Sequence, residues 1–148
     1  MSDAKVIQFS QARKEKQEHI KREYERVLFN RILGCYTVIE KLGLSHVEML
    51  DISKKGCSFR APQTQGAFNV GEEVDFRFYF SNNTYVPTRL SVRRVTELVE
   101  NGQKWWLYGC DFDASLSSHN AIARFVEFVE TFSQAAKEDK GEKQVWFL

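Results

Sequence analysis

Apolar and polar residues alternate most cleanly over VDFRFYF, where Val74, Phe76, Phe78 and Phe80 fall on one face and Asp75, Arg77 and Tyr79 on the other. A period of two predicts a strand with one face in a core. Residues 31–41 (RILGCYTVIEK) and 45–50 (SHVEML) predict two more strands joined by a turn around Gly43, and GCSFRAP a third that ends at Pro62. QTQGAFNVG reads as loop and SNNT as a turn. Residues 85–99 alternate less regularly, with Leu90 and Val92 opposite Arg89, Ser91 and Arg93. The Asn-Gly pair of ENGQ then predicts a tight hairpin into KWWLYGCDFD. Five or six short strands separated by turn signals predict a small antiparallel barrel, because closure leaves no unpaired edge.

Helical patterns flank these strands. Residues 10–26 are rich in Lys, Arg, Glu and Gln and hold neither Pro nor Gly, which favours helix by propensity. Apolar positions are few there until Ile20, Tyr24, Val27 and Leu28, so the pattern predicts a solvated arm whose last turn touches the domain. Over 115–137, Leu116, Ala123, Phe125, Val126, Phe128, Val129 and Phe132 follow helical spacing, with Ser115 or Ser117 as the cap. This helix is expected to lay a Phe-rich stripe on the barrel. Charged KEDKGEK follows, and the chain ends on an apolar tip, Val145–Leu148. Residue pattern leaves three roles open for that tip: folding back, binding a partner, or disorder. The expected organisation is a charged helical arm (1–20), a barrel domain with its C-terminal helix (21–137), and a charged tail with an apolar tip (138–148).

Composition narrows the partners. A chain of 148 residues with 43% hydrophobic and 14% aromatic content suffices for one packed core. Its net charge of +1 lacks the broad positive field that coating DNA or RNA requires, so an anionic partner should be small and held by a few local cations. Three widely spaced cysteines (Cys35, Cys57, Cys110), without a CxxC pair, predict reduced thiols and no metal site. MSDAKVIQFSQARKEK lacks a secretory apolar stretch, and no run approaches the roughly 20 residues that span a bilayer. The expectation is a cytoplasmic protein without membrane insertion.

Two local motifs carry chemistry. Arg22 and Arg26 are four apart, so on a helix both guanidiniums share a face and can converge on one anion. Arginine's planar fork matches a phosphate, or the O6/N7 edge of guanine, in bidentate fashion. The second motif is Asp51-Ile52-Ser53-Lys54-Lys55-Gly56, between two strands. Alternation puts Asp51 and Ser53 on one side and Ile52 in the core. Asp51 offers acceptors to the N–H donors of a base edge, and Ser53 can donate or accept. Gly56 permits a turn with positive φ or a close backbone approach by a ligand. The plain alternatives are a surface arginine pair bridged to Glu18 or Glu23, and a Ser/Gly hairpin turn.

In this order the motifs resemble the PilZ family, whose signature is RxxxR followed about 20–30 residues later by [D/N]xSxxG in a six-stranded barrel with flanking helices. Arg22 and Arg26 match the first motif; Asp51, Ser53 and Gly56 match the second; and Gly109-Cys110-Asp111-Phe112 resembles a late-strand GxxF feature. The likeness runs from about Lys21 to Phe132; VLFNRIL, after Arg26, lacks the proline often found there. The resemblance implies a receptor for cyclic di-GMP, the ligand and not a cofactor. Arg22 and Arg26 would grip phosphate and guanine, and Asp51, Ser53 and Gly56 would line the barrel surface opposite. Lys21 would add a phosphate contact, and Arg60, on the strand leaving the turn, is a further candidate. Ligand binding would reshape the surface offered to an unidentified downstream protein. Two other readings stand beside it: a ligand-silent PilZ-like adaptor, and a single-stranded nucleic-acid barrel stacking bases on Trp105, Trp106 and Tyr108. An enzyme is not expected, since GxSxG, HExxH and a phosphate-cradling glycine loop are all missing from the sequence.

Overall fold

The structure is a computed structural model that describes residues 2–27, 34–39 and 43–136. A long helix α1 (Ser2–Val27) leads into β1 (Gly34–Ile39), β2 (Gly43–Ile52), β3 (Gly56–Pro62), β4 (Glu73–Tyr79), β5 (Tyr85–Glu100) and β6 (Gln103–Phe112), and α2 (His119–Ala135) follows. The strands close in the order β1-β2-β3-β6-β5-β4, with every pairing antiparallel. Pairing of Gly34–Val38 with Asp75–Tyr79 seals the barrel and removes its edges.

Alternation fills the interior. Val74, Phe76 and Phe78 of β4 point inward, and Phe59 packs its ring 5.3 Å from Phe76 and 5.2 Å from Tyr108. Met49, Ile52, Leu90 and Val92 complete a core of side chains removed from water, each stabilising by about 1.5–3 kcal/mol relative to exposure. At the β5–β6 turn, Asn101 (φ 51°) and Gly102 (φ 78°) both take positive φ. Two left-handed central residues form the hairpin turn whose twist suits the flanking strands, as the Asn-Gly pair predicts.

Several expectations are corrected. Phe80 lies beyond the end of β4, where Phe80 N–H bonds the Thr84 carbonyl, and its ring is half exposed rather than in the core. β2 is longer than the 45–50 stretch, and α2 starts at His119 rather than 115. Ser115 does not cap α2: its N–H and hydroxyl both bond Asp113 in the preceding turn. Ser118 occupies the cap position without a side-chain bond. The buried stripe of α2 is Ile122, Val126, Val129 and Ser133, so Phe128 (57% exposed) and Phe132 (40%) sit outside it. α1 is helical far upstream of residue 10, and its last turns dock where Tyr24 stacks on Phe132 at 4.3 Å. Leu28, the outer parts of the 31–41 stretch, and the Val145–Leu148 tip lie outside the described residues.

Candidate functional site

The β2–β3 turn is built by its own side chains. Ser53 N–H donates to the Gly56 carbonyl at 2.8 Å, while Ser53 Oγ accepts from Lys55 N–H and Gly56 N–H at 3.3 Å each. Ile52 drops into the core and Asp51 faces solvent on the opposite side. Gly56 has no left-handed φ. Its constraint is contact: a Cβ there would lie 1.9 Å from the Cys110 carbonyl oxygen on β6. Glycine is required because two backbones meet, which replaces the positive-φ turn the sequence allowed.

Asp51, Ser53, Lys55 and Gly56 line an open cleft of about 380 Å³, whose far wall is Arg93, Arg94, Gly109 and Asp111. That volume falls in the range of small-ligand sites. The far wall depends on a β-bulge. Between Val92 and Arg94 the β5–β6 register shifts, so Arg93 and Arg94 are both exposed although they are adjacent. Strict alternation assigns them to opposite faces and misses Arg94; the detectable signal was two consecutive arginines in a barrel strand, which cannot enter an apolar core. Arg93 pairs with Asp111 at 2.8 Å. The Arg94 side chain lies over Gly109, with its nearest atoms 3.6 Å from where a Cβ would stand.

The arm approaches the same turn from its other side. Lys21 Nζ donates to the Ile52 carbonyl at 3.2 Å and lies 3.3 Å from Glu25 Oε1. Glu25 is fully buried, and burial pushes its carboxyl up to about 7, helped by the charge of Asp51 and opposed by Lys21 and the Ile52 backbone. Arg22 and Arg26 are exposed on the adjoining face and form no ion pair among the described residues. They do not line the cleft, and neither does Lys21.

Arg60 stands apart. It pairs with Glu48 (2.7 Å) and Glu100 (2.9 Å) and lies over the Trp105 ring at 4.2 Å. Facing outward by alternation has brought it to a neighbouring patch, not to the cleft. The stacking platform is also dismantled: Tyr108 is buried with its hydroxyl accepting from Phe68 N–H, and Trp105 is covered by Arg60. The thiols face inward, where burial raises Cys110 to about 12 and Cys57 well above its ordinary value. Burial of all three disfavours the thiolate form that a nucleophile needs. No group of residues able to hold a metal occurs among the described residues, and no described helix is long and apolar enough to cross a membrane.

A closed antiparallel barrel with a helix at either end, and an arginine-walled cleft beside an Asp-x-Ser-x-x-Gly turn, defines a small barrel domain with a candidate binding cleft. The chain belongs to the PilZ domain family, whose family model matches residues 20–128. Solved structures share the fold. Apo MrkH of K. pneumonia superposes with a TM-score of 0.58 at 13% identity, covering 72% of this chain and 50% of MrkH. The PilZ domain of YcgR from Escherichia coli, solved with c-di-GMP, gives 0.52 at 9% identity over 72% of this chain and 88% of that one. The MrkH–c-di-GMP complex gives 0.52 at 13%, over 70% and 47%. The chain therefore spans about half the length of MrkH. No match was found among curated proteins.

Proposed function

We propose that this chain is a non-enzymatic receptor for cyclic di-GMP, working in the bacterial cytoplasm and signalling through protein contacts. The observation that carries the reading is the anchoring of the arm beside the cleft. Lys21 ties α1 to the carbonyl of Ile52, within the Asp51–Gly56 turn, while Arg22 and Arg26 remain exposed one helical turn apart. A dianionic guanine dinucleotide fits that arrangement. Its phosphates take charge-assisted bonds from arginine, and a guanine edge offers N–H donors to Asp51. Arg93 and Arg94 supply cations on the far wall. On binding, Arg22 and Arg26 swing toward the cleft, and the α1–α2 surface shown to a downstream protein changes.

Isothermal titration with cyclic di-GMP tests this. Arg26→Ala and Asp51→Ala should each weaken binding about 10–100-fold, the worth of one or two charge-assisted hydrogen bonds. Arg94→Ala should weaken it about tenfold by the same principle. No binding by the parent protein overturns the receptor reading; unchanged binding in both Arg26→Ala and Asp51→Ala overturns the site. A ligand-silent adaptor is favoured by one observation, the exposure of Phe128 and Phe132 on α2. Recovery of a partner by a parent protein that binds no nucleotide selects it.

A further inference from the structure

Glu25 is the one acidic residue of the Arg22–Arg26 turn that faces the barrel. Helical spacing puts Lys21, Tyr24 and Glu25 toward the domain and Arg22, Glu23 and Arg26 toward solvent. Its side chain has no exposure, and neither carboxyl oxygen accepts a well-formed hydrogen bond among the described residues. A buried carboxylate in that state is costly, and charge neutralisation relieves the cost. The groups acting on it come from each element packed there. α1 contributes Lys21, at ion-pair distance; β2 contributes the Asp51 carboxylate and the Ile52 backbone. α2 presents the Phe132 ring to Tyr24, and its Glu127 is engaged by Lys54 and Arg124. Glu25 thus has one partial counter-ion and one like charge, Asp51, which is itself a candidate ligand contact.

We propose that Glu25 is a proton-linked positioning residue of the nucleotide site: neutral, it seats the Arg22–Arg26 turn against the Asp51–Gly56 turn, and binding of an anionic dinucleotide draws a proton onto it. The inference rests on the receptor reading above. Its physical basis is linkage. A unit negative charge about 10 Å away, at an effective dielectric of about 20, favours the neutral carboxyl on the order of tenfold. Ligand phosphates held by Arg22 and Arg26 add such charges near a carboxyl that burial has already raised to about 7. The bound state then holds more proton than the free state, so affinity falls as pH rises through neutrality.

Titration calorimetry of the whole chain with cyclic di-GMP, in buffers of different ionisation enthalpy, reads the proton directly. About half a proton should be taken up per ligand near pH 7.5, and affinity should drop roughly five- to tenfold between about pH 6 and about pH 9. Glu25→Gln, which mimics the neutral side chain, should bind like the parent near pH 6, bind several-fold tighter than the parent near pH 9, and take up no proton at this site. A purely structural role predicts weaker binding by the variant at every pH. Should Glu25→Gln fold poorly, carbon-detected NMR titration of the parent Glu25 carboxyl, with and without ligand, gives the same answer: the midpoint must rise on binding. Binding without proton uptake, or uptake that persists in the variant, overturns the inference and leaves the receptor reading standing. No binding by the parent overturns both.

Discussion

Replacing Gly56 by alanine isolates what the glycine of the Asp-x-Ser-x-x-Gly turn does. A Cβ at this position would lie 1.9 Å from the Cys110 carbonyl oxygen and 3.1 Å from Asp111 Cα. Both atoms are backbone, so no side chain can rotate away, and β3 must part from β6. Overpacking of this kind costs about 1–3 kcal/mol. Parting also strains the Phe112 N–H to Lys55 carbonyl bond and the Ser53 N–H to Gly56 carbonyl bond, each 2.8 Å. At about 0.5–1.5 kcal/mol per bond, the expected loss is on the order of 3 kcal/mol. With a urea m-value of about 1.5–2 kcal/mol/M, the unfolding midpoint should fall by roughly 1.5–2 M. Gly109→Ala is the matched control, because its Cβ meets only the Arg94 side chain, at 3.6 Å. It should change stability by less than about 0.5 kcal/mol. Equal urea midpoints for Gly56→Ala and the parent protein would refute the packing argument. Nucleotide binding lost with stability unchanged would show that Gly56 serves the ligand alone.

The barrel was legible because it rests on signals that local chemistry fixes. Period-two alternation placed Val74, Phe76 and Phe78 in the core, and the Asn101-Gly102 pair specified its hairpin. What escaped depends on non-local register. A bulge at Val92/Arg94 turns two adjacent arginines outward, and only pairing with β6 reveals it. The exclusion of Arg60 from the cleft is of the same kind, because its partners Glu48 and Glu100 come from β2 and β5. On α2, spacing found a helix but not which side faces inward: a stripe containing Phe128 and Phe132 is as periodic as one containing Ile122, Val126 and Val129. Glu25 is one of several charges in residues 10–26, and although helical spacing puts it on the side of Tyr24, full burial of its carboxylate depends on how α1 docks, which residue pattern alone does not carry.

Two further outcomes follow from these placements. Arg60→Ala should leave cyclic di-GMP affinity within about twofold of the parent, while lowering stability by about 1 kcal/mol through lost ion pairs and lost packing on Trp105; a large loss of affinity in titration calorimetry would return Arg60 to the site. For Glu25, the carboxyl is held at about 7 in the folded chain against an ordinary 4.5. Between those values the unfolded chain has released the proton that the folded chain retains, so stability falls as pH rises from about 4.5 to about 7 and stays low above that. At about 1.4 kcal/mol for each pH unit of the interval, the loss is on the order of 3 kcal/mol. Glu25→Gln removes this dependence. Its thermal midpoint should match the parent near pH 4 and exceed it at pH 8 by about 6–12 °C, given about 2–4 °C per kcal/mol for a chain of this size. The same pH slope in parent and variant would mean that the buried carboxyl is ionised throughout, with Lys21 as its full counter-ion.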